Sequence, residues 1–249
     1  MDRITIHFLF TYFAIMALPF FYNENISESD ALVVLDEDTS KHVVQVLRMV
    51  NGEKIKLTDG RGNIFTCEIT DNHRKKCAVT IIEKSQIPRP KSTVTIAISP
   101  LKNNSRFEWF LEKATEIGVR EIVPLICERT EKPQLKTDRL KSILVSAMLQ
   151  SQQAWLPLLA PAQKFSQYVQ SVDACDAKLI AHCLEEEKKS VKSVALSEKS
   201  VMLIGPEGDF SKEEIELALQ NGFIAVTLGE TRLRTETAGL VAAVLLCVR

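Results

Sequence analysis

Short apolar runs that alternate with polar residues fill the first third of the chain. These runs are rich in β-branched residues, which is typical of half-buried strands. They lie at Ala31–Leu35, Lys54–Thr58, Asn63–Ile69 and Ala78–Ile82. Asn51-Gly52 and Asp59-Gly60 between them favour tight turns, and one segment, Thr39–Met49, has helical spacing. The pattern predicts a small β-barrel with one helix inserted.

The pattern changes after Ser85–Lys91, a stretch with two prolines that indicates an extended linker. Beyond it, predicted strands alternate with predicted helices, which favours a mostly parallel sheet with helices on both faces. The predicted strands are Val94–Ser99, Glu121–Ile126, Lys178–Cys183 and Val201–Ile204. The sequence therefore predicts two domains, a barrel at residues 16–86 and an α/β domain at residues 92–249.

Local signals predict where several helices begin and end. Ser105–Glu108 and Ser211–Glu214 both have the capping-box pattern, and Gly118 is placed to end the first of these helices. Another helix is expected at Asp138–Ala154. The last helix, Ala238–Val248, is nearly all apolar, so it should be buried or form a subunit interface.

The amino terminus is apolar from Ile4 to Phe21, with Arg3 before it. Three interpretations are open, namely a stretch upstream of the natural start, a targeting or membrane segment, or extra structure. Polar residues interrupt the run, and no small-residue cleavage site follows it. An upstream or disordered extension over residues 1–15, with the natural start at Met16, is the favoured interpretation.

Composition narrows the class of protein. The chain has 249 residues, of which 45% are hydrophobic, enough to bury a sizeable core. Lysine and arginine number 31 against 32 acidic residues, so a nucleic-acid surface would have to come from local clusters. The six cysteines and four histidines show no metal-binding spacing. We therefore expect a reduced, cytoplasmic protein without a structural metal or a membrane partner.

Two loops follow predicted strands and precede predicted helices, so both should open at the carboxyl edge of the sheet, where α/β proteins bind ligands. In Gly205–Phe210, the glycines let backbone amides approach a ligand closely. Leu228–Ala238 is dense in charged and hydroxyl side chains. Neither loop has a Walker lysine or a dinucleotide fingerprint. By itself, each loop could also be an ordinary turn between a strand and a helix.

Five motifs in order carry a resemblance to a known family. They are His42-x-x-x-Val46-Leu47-Arg48, Glu112–Val119, Gly205-Pro206-Glu207-Gly208, Leu228-Gly229 and Leu233-Arg234-x-Glu236-Thr237-Ala238. From Met16 to its end, the chain resembles the RsmE-type ribosomal RNA uridine N3-methyltransferases of the SPOUT superfamily. The resemblance implies a PUA-like barrel followed by a trefoil-knotted α/β domain, with S-adenosylmethionine bound in the knot. It also implies a homodimer.

The resemblance further implies roles for individual residues. Expected cofactor contacts are Ile204, Gly205, Pro206, Gly208, Leu228, Gly229, Leu233, Thr237 and Ala238. Arg234 would orient the RNA or stabilise the uridine anion. Glu236 would fix Arg234 or take the N3 proton, and Glu207 is a second candidate base. Expected RNA contacts, each of which could also be an ordinary surface residue, are Lys41, His42, Arg48, Arg61, Lys102, Asn103, Arg106 and Arg232.

Two positions depart from the family pattern. Gly208-Asp209 stands where a Gly-Gly pair is common. In the second loop, the first arginine is shifted by one position to Arg232, whereas Arg234 and Glu236 align with the family. The shift weakens the basis for the RNA contact expected of Arg232, while the roles of Arg234 and Glu236 rest on aligned positions.

Three functions are open at this point. The first is N3-methylation of one uridine of 16S ribosomal RNA, either as naked RNA or in the assembled 30S subunit. The second is methylation of a ribose 2′-hydroxyl by a related enzyme, and the third is RNA binding without catalysis. The barrel motif at His42–Arg48 and the loop around Arg234 favour the first function, and Arg234 with Glu236 speaks against the third.

Overall fold

The computed structural model describes residues 18–27, 29–172, 177–184, 187–194 and 198–248. These residues divide into two compact units, which are considered separately. The first unit takes in described residues up to 21, then 29–57 and 65–84, and the second takes in 22–27, 58–64 and the described residues from 85 onward. The expected extension at residues 1–15 lies outside the described residues. The predicted domain boundaries, 16–86 and 92–249, stay predictions.

A five-stranded sheet accounts for the short alternating runs near the amino terminus. Its strands are β1 (Phe20–Tyr22), β2 (Leu32–Val34), β3 (Lys54–Thr58), β4 (Asn63–Asp71) and β5 (Ala78–Gln86), in the spatial order β1-β3-β4-β5-β2. Alternate side chains point into the core, so Phe65, Cys67 and Ile69 on β4 are buried, while Thr66 and Glu68 between them are only partly buried. The four predicted strands are confirmed.

The helix predicted at Thr39–Met49 differs in both its ends and its geometry. It begins earlier, as α1 (Glu37–Lys41), because the Asp36 side chain caps it by accepting hydrogen bonds from the backbone N–H groups of Asp38 and Thr39. It continues as a π-helical turn at His42–Val46. The turn is followed by Arg48, whose φ of 56° is in the left-handed region and ends the helical geometry.

The second unit contains an eight-stranded sheet whose recorded pairings are all parallel. Its strands are β6 (Thr93–Ile98), β7 (Glu121–Ile126), β8 (Leu158–Leu159), β9 (Gln163–Lys164), β10 (Ala177–Ala181), β11 (Lys189–Ser190), β12 (Lys199–Ile204) and β13 (Ile224–Thr227). The spatial order is β11-β13-β10-β12-β6-β7-β8, and β9 pairs with β7. The predicted parallel sheet is confirmed.

Helices cover both faces of this sheet, as predicted. They are α2 (Asn104–Ile117), α3 (Thr137–Gln150), α4 (Phe165–Ser171), α5 (Lys212–Gln220) and α6 (Thr235–Cys247), with a 3₁₀ turn at Val191–Ser193. On β6, Ile96 and Ile98 face one hydrophobic core, with α2, α3 and α6, while Ala97 faces the other, with α4 and α5. Strands buried on both faces explain the near-continuous apolar runs in the sequence.

Two predicted helix ends are confirmed and two are wrong. The Ser211 capping box and the left-handed Gly118 are present as expected. The cap of α2, however, is Asn103, whose Oδ1 accepts from the Ser105 N–H, so Ser105 is not the cap. Helix α3 ends at Gln150 instead of Ala154, because the chain turns at Ser151 and its hydroxyl bonds the carbonyl of Ala147.

Helix α6 also begins earlier than predicted, at Thr235 instead of Ala238. Its first backbone hydrogen bond runs from the Ala238 N–H to the Arg234 carbonyl, at 2.7 Å. Glu236 therefore belongs to the first helical turn and not to a loop. None of the described helices is both long and apolar enough to cross a bilayer. The trefoil knot stays a prediction.

Candidate functional site

Two cavities that share part of their lining open at the carboxyl ends of β10, β12 and β13. Their volumes are about 310 and 460 Å³, within the range of small-molecule sites. The shared lining residues are Ala181, Cys183, Arg232, Leu233 and Ala238. The larger cavity is lined by both glycine-bearing loops, so the expectation that they face one crevice is confirmed.

Most of the expected cofactor residues line this crevice. Ile204, Gly205, Pro206, Leu233 and Ala238 line the larger cavity, and Leu228, Gly229, Leu233 and Ala238 line the smaller one. Gly208 and Thr237 are absent from both linings. The Gly208 carbonyl instead accepts a hydrogen bond from Arg129 Nη1, at 2.8 Å.

The Gly205–Phe210 loop is fixed by three neighbouring loops. A carboxylate oxygen of Glu207 accepts from the Lys102 N–H at 3.3 Å, and Arg129 reaches the Gly208 carbonyl. Asp209 Oδ2 accepts from the Cys183 N–H at 2.8 Å. Phe210 is buried and packs on Phe165 of α4, with 5.3 Å between ring centroids. These contacts give the loop a defined shape.

Gly205 is needed at its position because of this packing. A Cβ atom there would lie 3.1 Å from the Phe210 ring. A larger residue would displace either the ring or the backbone that lines the cavity. The observed constraint on Gly205 is thus its packing against Phe210 in the core. Its predicted role, to let backbone amides approach a ligand closely, stays a prediction.

Two charged residues at the amino end of α6, Arg234 and Glu236, lie next to Arg106 of α2; Arg106 and Arg234 line the larger cavity, whereas Glu236 lines neither cavity. Arg234 is exposed at the N-cap position and lines the larger cavity. Glu236 is only 7% exposed, and one carboxylate oxygen lies 3.7 Å from Arg106 Nε. Its Oε2 is buried and has no hydrogen-bond partner among the described residues. A buried carboxylate oxygen with free lone pairs is able to accept a proton or a hydrogen bond from a ligand.

The expected RNA contacts of the first unit have different surroundings. Lys41 forms an ion pair with Glu37 at 2.8 Å, and this hydrogen bond raises the pKa of Lys41. His42 packs edge-on against Phe21, with ring centroids 5.6 Å apart. Arg48 is exposed in its left-handed conformation. Of the three side chains, that of Arg48 makes no hydrogen bond, ion pair or ring contact within the described part of the chain.

The expected RNA contacts of the second unit also divide into paired and exposed residues. Arg61 lies 3.5 Å from the Asp59 carboxylate and donates to the Glu24 carbonyl at 2.7 Å. Lys102 Nζ pairs with Glu131 at 2.8 Å. Arg106 and Arg232 line the larger cavity. Asn103 is used as a helix cap, and its proposed RNA contact is the least supported by geometry.

The residues of the site that were missed from the sequence include Cys183 and Arg129. Cys183 lines both cavities, and Arg129 holds the loop at Gly208. Both follow strands whose ends the apolar pattern located, so their positions at the carboxyl edge could have been inferred. Their contacts could not, because these depend on the distance between loops far apart in sequence. Within the described part of the chain, no three His, Cys, Asp or Glu side chains cluster as a metal site.

Comparison with known proteins assigns the chain to a family. A family model described as an RNA methyltransferase domain matches residues 88–247, and one described as an RNA methyltransferase PUA domain matches residues 35–82. The ribosomal RNA small subunit methyltransferase E of Synechocystis is 32% identical over 222 residues, which cover 86% of this chain and 72% of that protein.

Solved structures agree with this assignment. The crystal structure of a probable rRNA-methyltransferase from Porphyromonas gingivalis has a TM-score of 0.85 and 40% identity, covering 91% of this chain and 95% of that one. That of the small subunit methyltransferase E from Neisseria gonorrhoeae, bound to S-adenosyl methionine, has a TM-score of 0.82 and 29% identity, with coverages of 91% and 95%. The chain therefore belongs to the RNA methyltransferase family and is an RsmE-type methyltransferase with a PUA domain.

Proposed function

We propose that this protein transfers the methyl group of S-adenosylmethionine to N3 of one uridine in small-subunit ribosomal RNA. The observation that carries the proposal is the crevice that Arg106, Arg234 and two backbone loops able to hold a cofactor line, with the buried Glu236 ion-paired to Arg106 behind this lining. The names of the relatives support an RNA of the small ribosomal subunit as the substrate. Action on ribosomal RNA would place the activity in the cytoplasm.

The crevice fits S-adenosylmethionine in size and in chemistry. Its walls include the apolar side chains of Ile204, Leu228 and Leu233, which suit an adenine ring. Gly205 and Gly229 leave backbone groups accessible for the polar edges of the ligand. When bound, the cofactor supplies a methyl group on a positively charged sulfur. The Neisseria relative was crystallised with this cofactor, which supports the same assignment here.

The residues of the chain then have to position the uridine and remove its N3 proton. Glu236 is the better candidate for the base, because its Oε2 is buried without a hydrogen-bond partner among the described residues. Glu207 is exposed and already accepts a backbone hydrogen bond, so it ranks second. Arg234, exposed in the cavity, would stabilise the negative charge that develops on the base. Arg106 would hold the carboxylate of Glu236 in place.

We also propose that the protein acts as a homodimer through the outer face of α6. Thr237, Leu240, Val241, Val244 and Val248 lie partly or fully exposed along this face. Successive members lie one, three or four residues apart, which places all five on one stripe. An apolar stripe of this kind is typical of a surface that a second subunit covers. The same helix begins at Thr235, between Arg234 and Glu236, so its pairing would place the interface next to these two proposed catalytic residues.

Primer extension on small-subunit RNA tests the reaction. The purified protein is incubated with S-adenosylmethionine and either naked 16S RNA or 30S subunits that lack the modification. Methylation at N3 blocks base pairing, so reverse transcriptase should stop one nucleotide before a single uridine, and only when the cofactor is present. Methyl incorporation without a stop would instead indicate ribose methylation. Absence of incorporation with both substrates would leave RNA binding without catalysis.

A further inference from the structure

We propose that Asp209 is a positioning residue that bridges the two walls of the cofactor crevice. The inference rests on the proposed function, because it takes the crevice to be the S-adenosylmethionine site. Asp209 lies in the loop after β12 and lines the larger cavity. Its Oδ2 accepts from the backbone N–H of Cys183, in the segment after β10, at 2.8 Å. Cys183 lines both cavities, so this hydrogen bond spans from one wall to the other.

The Cys183 amide depends on Asp209 for its acceptor. The pairing of β10 with its neighbours ends at Ala181, which is opposite Ile204 on β12 and Val226 on β13. Cys183 therefore lies beyond the sheet ladder, where its N–H has no strand partner. The Asp209 carboxylate takes the place of that partner. It holds the backbone in a fixed position as far as Cys183, two residues beyond the end of β10.

The backbone of Asp209 indicates that its side chain is retained for this contact. Its φ of 64° is in the left-handed region, which glycine adopts more easily than aspartate. Both carboxylate oxygens are used, since Oδ1 accepts from the Phe210 N–H at 2.9 Å. Glycine would relax the backbone but could not bridge the walls. Aspartate accepts a less favourable conformation and gains two hydrogen bonds to a charged acceptor.

Three substitutions separate the bridge from the backbone effect. Asp209→Gly removes the acceptor and relieves the left-handed backbone, whereas Asp209→Ala removes the acceptor and keeps the strain. Asp209→Asn keeps an oxygen acceptor on a residue that tolerates this conformation. The control is Glu216→Gln, which removes a negative charge from an exposed position on α5. Calorimetric titration with S-adenosylmethionine and thermal unfolding are measured for each variant.

The alkylation rate of Cys183 gives a second readout that does not depend on activity. Cys183 is exposed, whereas Cys67 and Cys127 are buried and burial raises the pKa of both thiols. Iodoacetamide labelling is followed by mass spectrometry of the peptide that contains Cys183, with and without S-adenosylmethionine. Without the bridge, the segment at Cys183 should be more mobile, and Cys183 should label about tenfold faster, which is the lower end of what one hydrogen bond to a charged group supplies.

The expected pattern is specific. Asp209→Gly should weaken cofactor affinity about tenfold and speed Cys183 labelling, without a lower unfolding temperature. Asp209→Ala should show the same loss of affinity with reduced stability, and Asp209→Asn should stay within about threefold of the parent protein. Parent-like affinity and labelling in Asp209→Gly would overturn the proposal, as would equal losses in the Asn and Gly variants. A parent protein that binds no cofactor would contradict the proposed function instead, while the labelling comparison would still test the bridge.

Discussion

Glu236 is buried, and its Oε2 atom has no hydrogen-bond partner among the described residues; both facts bear on its catalytic role and on stability. A carboxylate oxygen without a partner in a buried position costs stability, and natural sites keep such groups where function needs them. Glu236→Gln keeps the size of the side chain and removes the charge. The variant should lose at least about a hundredfold in turnover, because a proton acceptor is gone. Its free energy of unfolding should also rise by roughly 1 kcal/mol, so the variant should unfold at a higher urea concentration than the parent protein.

Turnover is measured by methyl incorporation into small-subunit RNA and stability by urea unfolding at pH 7. Asp138→Asn provides a comparison at an exposed position in the first turn of α3. Unchanged turnover in Glu236→Gln would remove this residue from the catalytic step and leave Glu207 as the base.

Arg234 is expected to act on the RNA base and not on the cofactor. Its side chain is exposed in the larger cavity, and its backbone caps α6 without a side-chain hydrogen bond. Arg234→Ala should therefore lower turnover by about 10²–10³-fold, as for loss of one charge-stabilising donor. Cofactor affinity, measured by calorimetry, should change less than threefold. Strong loss of cofactor binding would assign Arg234 to the cofactor instead.

Individual residues also show how far the sequence could predict the site. Gly205, Arg234 and Glu236 were singled out because their loops follow a strand and precede a helix, which are local features, and their roles came from the family resemblance and stay predictions. The pairing of Glu236 with Arg106 was not predicted, because 130 positions separate them and only the fold brings α2 and α6 together. Arg129 had no local signal apart from its place after β7.

At the scale of the elements, α6 packs closely against α2 and β6 at Gly239. A Cβ atom at Gly239 would lie 2.7 Å from a Phe110 ring atom and 2.8 Å from Ile98 Cδ1. Alanine normally stabilises a helix by about 1 kcal/mol relative to glycine. Here Gly239→Ala should instead destabilise the protein by about 1–2 kcal/mol, because the added methyl group overpacks the contact with α2.

Chemical denaturation checks this prediction, with Lys141→Ala on the exposed face of α3 as the comparison, expected within 0.5 kcal/mol of the parent. A Gly239→Ala variant as stable as the parent would contradict the prediction. It would show that α2 and α6 can separate enough for a methyl group without loss of stability.

The elements that the sequence predicted best are those with long apolar runs. β3 and β7 match their predicted bounds, because alternation or continuous burial marks every residue in them. The short helix α4 was missed, since its seven residues contain three buried positions among serines and glutamines. The ends of α2 and α6 were displaced, because Asn103 and Arg234 take the cap positions that the local pattern gave to later residues.

At the scale of the whole molecule, the proposed homodimer predicts that a charged residue on the exposed face of α6 prevents dimerisation. Val244 is 41% exposed on the apolar stripe, and Val244→Asp would place a carboxylate in the interface. The variant should be monomeric at concentrations where the parent is a dimer, as measured by light scattering after gel filtration. Leu219→Asp is a matched comparison, since Leu219 is 42% exposed on α5, and it should remain dimeric. A dimeric Val244→Asp protein would exclude this face.

Phe210 connects the crevice to the interior, and this has a consequence for how the enzyme responds to heat. Its ring packs between Gly205 and Phe165, so a residue on α4 that lines neither of the two described cavities maintains the shape of the loop. Phe165→Leu should give an enzyme with normal donor affinity in the cold and a steep decline on warming, well below its melting point. Temperature-sensitive alleles of this protein would then be expected on α4, remote from every residue that performs the chemistry.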